Sequence, residues 1–146
     1  MTTRHEAAAA ALAALVAAAV PCGVSRGDAR PARCPAEGLA WVSFEDPEEV
    51  GRRLGTGVRE FEREANVTIV VQDPEDGFRR GLLEARIEAL GAALAGAALS
   101  APLDHIEIGG LEYDSDVDVE AAAPISAATV AVTLFYETPS NTLEDL

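Results

Sequence analysis

Apolar positions recur along this chain in two spacings, one helical and one alternating. Residues 7–20 are almost all alanine, with Leu12, Leu15, Val16 and Val20 on the side that would pack. Thr3 and Glu6 stand at capping-box spacing before that run, and Pro21 and Gly23 follow it, so the pattern predicts a helix over residues 1–20. The same stretch imitates a secretory signal, with a basic start, an apolar run and small residues before a cysteine. Glu6 and the Pro21–Cys22 pair argue against cleavage, and the run is too short and alanine-rich to span a bilayer. The expectation is a retained docking helix.

Residues 25–38 carry prolines and glycines without periodicity and read as a loop. LAWVSFE, residues 39–45, reads as a strand buried on both faces, and residues 46–57 as a polar, glycine-rich loop. Residues 58–72 read as one long strand: a charged half, VREFERE, projecting beyond the core, and a central half, NVTIVVQ. Asp73, Pro74, Glu75 and Asp76 suit a helix start with Asp73 as N-cap, and the helix should run to about Leu99. Its packing stripe is Leu83, Ile87, Leu90 and Leu94, with Arg79, Arg80, Glu84 and Glu88 off it. Two strands, 105–113 and 128–137, are joined by an acidic arm, and residues 138–146 form a polar tail. Helices and strands in this order predict one α+β domain over residues 1–146: a two-layer sandwich of two helices on a mostly antiparallel sheet of about four strands.

Composition narrows the function. Acidic residues outnumber basic ones 25 to 11, for a net charge of −14, and every basic residue is arginine. Without lysine there is no Schiff base and no P-loop lysine. An acidic chain releases few counterions on nucleic acid, so specific DNA or RNA binding is not expected. The acidity fits either a solvated surface or one that faces nucleic acid without holding it. Cys22 and Cys34 are too few for a disulfide framework and match no zinc spacing, so both are expected as free thiols.

The candidate motifs fail at the residues their chemistry requires. Asp114, Asp116 and Asp118 resemble the start of a calcium loop, but Val119 and Ile125 occupy the positions that need glycine and glutamate. They fit better as an exposed acidic ribbon with Glu112 and Glu120 on one strand face. His105 and Glu107 lack the P-C-x-x-C of a zinc deaminase, so His105 is expected at the surface. Gly55-Thr56-Gly57 precedes a strand rather than a helix, which excludes a dinucleotide turn, and Asn66-Val67-Thr68 lies in the long strand rather than an exposed loop. No serine has the nucleophile-elbow setting and neither cysteine has a base beside it in sequence. No catalytic residue, cofactor or metal ligand is assigned, and the chain is not expected to be an enzyme.

LDHIEIGGLEYDSDVDVE followed by APISAATVAVTLFYETP resembles the closing hairpin of tail terminator and minor tail proteins of long-tailed phages and phage-like particles. In that pattern a strand follows the second helix, an acidic arm intervenes, and the last strand ends as in Phe135, Tyr136, Glu137, Thr138 and Pro139. The alanine-rich first helix, the WVSF strand and REANVTIVVQ agree with it. The resemblance implies a virion protein, assembled in the host cytoplasm: a hexameric ring at the head-proximal end of the tail tube. Its partners would be the tail tube protein and the head–tail connector or stopper protein, and DNA would pass through without specific binding. No membrane is implied. Arg52, Arg53, Arg59 and Arg63 are then the interface candidates. Glu112, Asp114, Asp116, Asp118 and Glu120 are the acidic lumen or surface candidates. Another neck or tube ring protein, or a halophilic cytosolic α+β binding domain or small enzyme, are the alternatives.

Overall fold

A computed structural model describes residues 3–27, 31–97, 103–114 and 119–138. Its elements run α1 (Arg4–Ala19), β1 (Gly23–Arg26), β2 (Leu39–Phe44), β3 (Glu48–Arg52), β4 (Arg59–Gln72), α2 (Asp76–Ala95), β5 (Leu103–Asp114) and β6 (Ile125–Thr138). The fold is α+β, as the order of apolar spacings predicts. The sheet has six strands rather than about four, in the order β1-β2-β4-β6-β5, with β3 also on β4. β1 runs parallel to β2, and every other pairing is antiparallel. The two additional strands, β1 and β3, lie in stretches read as loops. Their side chains alternate too weakly to announce a strand, and it is backbone pairing with β2 and β4 that makes them one.

β4 is the axis of the molecule. It pairs with β6 without a break from Arg59↔Thr138 to Gln72↔Ile125, while β2 and β3 share its other edge end to end. The charged half of β4 therefore does not project. β3 and β6 flank it, and Phe61 within it is buried and stacked on Tyr136 at 5.9 Å.

Both helices cover one sheet face. Ala40 and Val42 of β2, Ala65, Val67, Ile69 and Val71 of β4, and Ala128 to Leu134 at alternate positions of β6 point into that layer. They meet Ala8, Leu12 and Val16 of α1 and Leu83, Leu90 and Leu94 of α2. Alanine dominates where α1 approaches, so little side-chain volume separates the layers. Strand β2 is not buried on both faces. Trp41 and Ser43 point away from the helices and are half-buried, the Trp41 indole N–H donating to the Gly27 carbonyl at 2.8 Å.

α1 starts as its spacing predicts, the Thr3 hydroxyl accepting from the Glu6 amide. Glu6 turns outward to Arg26 instead of closing the box. α2 begins later than expected and ends earlier. Glu75, not Asp73, is its N-cap, its carboxylate accepting from the amides of Gly77 and Phe78, while Asp73 accepts from the Glu75 amide. Asp73 is also tied to the sheet through its own amide, which donates to the Pro124 carbonyl. Arg79 is not off the packed side. Its guanidinium donates to the Ser126 hydroxyl, the Asp73 carbonyl and Asp76, pinning the helix start to β6. Arg86 is also buried, at 7% exposure, with Nε and Nη1 unpartnered among the described residues. Gly38 makes room for it: at φ +96°, a Cβ there would stand 2.2 Å from Nη1 and 2.8 Å from the Val70 carbonyl oxygen.

Candidate functional site

Side chains opposite one another in a β-ladder share a face, so the pairings say what lies away from the helices. At the end where β2 and β4 meet, that face is closed by a second, small core of Cys34, Leu39, Val70 and Ala127, with Val119 and Ile125 against it. Gln72 clamps it. Its side-chain amide donates to the carbonyls of Cys34 and Pro35, at 2.8 and 2.6 Å, and its oxygen accepts from the Ala123 amide at 3.0 Å.

Beyond that lid the sheet face is open. One row across it is Trp41, Thr68, Thr129 and Glu112, with the two threonine hydroxyls 3.0 Å apart. The next is Ser43, Asn66 and Ala131. Then come Glu64, Thr133 and Glu107; Glu48, Glu62, Phe135 and His105; and Glu60 with Glu137. Seven carboxylates, Glu48, Glu60, Glu62, Glu64, Glu107, Glu112 and Glu137, thus share this face. Arg53 reaches two of them, Glu60 at 3.5 Å and Glu137 at 3.1 Å. At the rim the Glu64 carboxyl is hydrogen-bonded to that of Glu45, which holds Glu45 above the usual carboxylate range. Crowding of like charge at this rim disfavours the ionised form of Glu45, which is the direction of that shift.

The sequence-nominated acids separate. Glu112 lies on the open face. Asp114 is the last described residue of β5, opposite Ala127. Asp116 and Asp118 lie outside the described residues. Glu120 forms a parallel bridge with Arg33, their side chains 3.6 Å apart and exposed. β4 contributes the largest share of the charge on this face, three of the seven carboxylates. Its signal was present in the sequence, since Glu60, Glu62 and Glu64 recur every second residue.

The four arginines separate too. Arg52 and Arg53 flank the β3–β4 turn, Arg52 pairing with Glu49 at 3.2 Å. Arg59 opens β4 between Arg52 and Thr138. Arg63 is engaged within its own chain: Nε donates to the Glu45 carbonyl at 2.7 Å, Nη1 to the His5 carbonyl at 3.4 Å, and the guanidinium lies over Phe44.

No protein-family model matches the chain, and no curated protein matches it. Among solved structures it is similar to a chain described as "Virion of native gene transfer agent (GTA) particle". The identity is 22%, the TM-score 0.48, and the match covers 88% of this chain and 85% of that one. A likeness of that degree carries no inference about function.

The thiols and histidines are placed for packing. Cys22 and Cys34 are free, and burial pushes both thiols up, away from the thiolate a nucleophile needs. His105 is exposed beside the Phe135 ring. Among the described residues no group of three or more His, Cys, Asp or Glu side chains could hold a metal ion, and no helix is long and apolar enough to cross a membrane.

Proposed function

We propose that the chain is a structural subunit of a phage-type tail. In this reading it forms a six-fold ring at the head-proximal end of the tail tube, stops tube polymerisation and joins the tail to the head connector or stopper. The observation that carries it is the open sheet face, where seven carboxylates stand in successive rows beside threonine, serine and asparagine. The resemblance of residues 103–139 to the closing hairpin of terminator proteins supports the same assignment. A sheet face of this kind suits the wall of a channel. Six copies, each at −14, would surround passing DNA with like charge, so phosphates would be repelled and the duplex would slide. A basic wall would hold it by counterion release. The outer side would then carry the helices, and Arg52, Arg53 and Arg59 would lie toward neighbouring subunits.

The test is to mix the purified protein with tail tubes assembled from tube subunit and to follow both by electron microscopy and sedimentation. Rings seated on one end of each tube, and arrest of further growth from that end, are expected. A protein that stays monomeric at every salt concentration and leaves tube ends bare would sink the proposal.

A further inference from the structure

Among the described residues, two exposed apolar patches lie at opposite edges of the sheet. The first is the turn joining β3 to β4. Its backbone is closed by the Arg53 amide donating to the Val58 carbonyl, and Gly55 and Gly57 take positive φ to make the turn. This geometry drives Leu54 into solvent at 96% exposure, with Val50 half exposed at the bulge of β3. An isolated exposed leucine is unremarkable, but one held at the tip of an ordered hairpin is presented.

The second patch is on β5, the strand at the far edge. Ile108, Leu111 and Tyr113 lie on the helix side of β5 and are 43%, 41% and 59% exposed. The Tyr113 hydroxyl is anchored on Glu84 of α2, which holds the ring in place beside the strand. Among the described residues β5 is paired on one side only, to β6. β5 contains no proline, and its four acids and two register shifts disfavour addition of another strand while leaving its apolar side chains exposed.

The two segments themselves differ in charge, although the turn arginines are paired within the chain, Arg52 with Glu49 and Arg53 with Glu60 and Glu137. Residues 50–58 include Arg52 and Arg53 and no acid. β5 includes Asp104, Glu107, Glu112 and Asp114 and no positive side chain except a protonated His105. A patch that fits a different patch on an identical molecule makes a heterologous contact, which propagates head to tail until a ring closes.

We propose that the occupant of the β5 edge is a second copy of this chain: the β3–β4 turn of one subunit seats Leu54 and Val50 on Ile108, Leu111 and Tyr113 of the next, with Arg52 and Arg53 against the acids of β5. The contact specifies how the ring assigned above would be built, and it rests on that reading for closure at six, though not for its polarity. Arg53 exchanges its exposed pairs with Glu60 and Glu137 for carboxylates of the neighbour, so salt weakens the contact.

Complementation tests it. Val50→Glu/Leu54→Glu removes the turn patch, and Ile108→Glu/Leu111→Glu removes the edge patch. Thermal melting checks that each variant folds. Should the edge variant not fold, Ile108→Thr/Leu111→Thr replaces it, since threonine suits a strand. In analytical ultracentrifugation the wild-type chain should form species larger than a dimer, and each variant alone should associate roughly tenfold or more weakly. An equimolar mixture of the two should form a dimer and nothing larger, because one intact turn meets one intact edge. Full assembly by either variant alone, a mixture that stays monomeric, or a wild-type chain that never associates would each overturn the contact. Complementation by a protein that leaves tube ends bare would keep this contact and remove the tail-end assignment. Tube capping by the turn variant would do the reverse.

Discussion

His5 joins the first turn of α1 to the far end of the sheet. Its Nδ1 lies 2.6 Å from the Tyr136 hydroxyl, and its ring stands edge-on to Phe61 at 4.7 Å. Burial first, and the Arg63 guanidinium second, lower the His5 pKa below its ordinary 6.5. The folded chain therefore takes up a proton less readily than the unfolded one. The resulting stability is complete above pH 6.5 and is lost as pH falls through the lowered value. Tyr136 works in the opposite range. Burial raises its hydroxyl to about 12, so its contribution is complete below pH 10 and is lost as pH rises toward 12. Urea unfolding of wild type and His5→Phe at pH 5 and pH 7.5 checks the first point. Wild type should lose more stability than the variant between pH 7.5 and pH 5, and equal losses would show that His5 has the same pKa in the folded and the unfolded chain. Neither partner was legible as such in the sequence. Nothing in the sequence pairs His5 with Tyr136, and only the return of β6 beside α1 gives it a buried hydroxyl.

At the scale of elements, the lid over the second core depends on one side chain. Gln72 ends β4, and its amide holds two separate segments, residues 34–35 and residue 123, against the open face. Gln72→Ala removes three hydrogen bonds and leaves two carbonyls and an amide to find water. The expected cost is about 2–3 kcal/mol, at about 1 kcal/mol for each bond. Hydrogen exchange should rise first at Cys34 and Glu120, whose amides close the bridge between these segments. If protection there is unchanged, the lid is held by its apolar contacts instead. The segment was unreadable in the sequence because its strand partner is a loop: residues 31–38 have no periodicity, and what orders them is a glutamine on another element. The start of α2 has the same character. Asp73 has the composition of an N-cap, but the sheet uses its backbone, and the cap passes to Glu75.

At the scale of the whole molecule, the separation of faces carries the functional reading. If the open face lines a channel, its acids should be dispensable for assembly and important for passage. Glu62→Arg/Glu64→Arg places two positive charges per subunit on that face without touching either apolar patch. Rings and tube binding should persist, while the variant ring should retain double-stranded DNA at low salt and release it as salt rises. Wild-type rings should retain none. Loss of assembly in this variant would put these residues in a subunit contact and move the channel elsewhere.

Much of this architecture is local in origin. The alanine run, the alternation through REANVTIVVQ and the apolar stripe of the second helix each follow from side-chain spacing, so helices α1 and α2, the long strand β4 and the α+β class were determined by the sequence alone. Absent lysine, unpaired cysteines and incomplete metal patterns also argue for what the chemistry is not. Pairing decided the rest. β1 and β3 are strands because β2 and β4 present free backbone groups to them, and the charged half of β4 lies flat because β3 and β6 flank it. The acids of four strands become one surface only when register aligns Glu48 with Glu62, Glu64 with Thr133 and Glu107, and Glu60 with Glu137. Leu54 and Leu111 become patches only because the described residues leave both exposed at opposite edges. Periodicity is a property of neighbours in the chain, whereas a face and an edge are properties of neighbours in space.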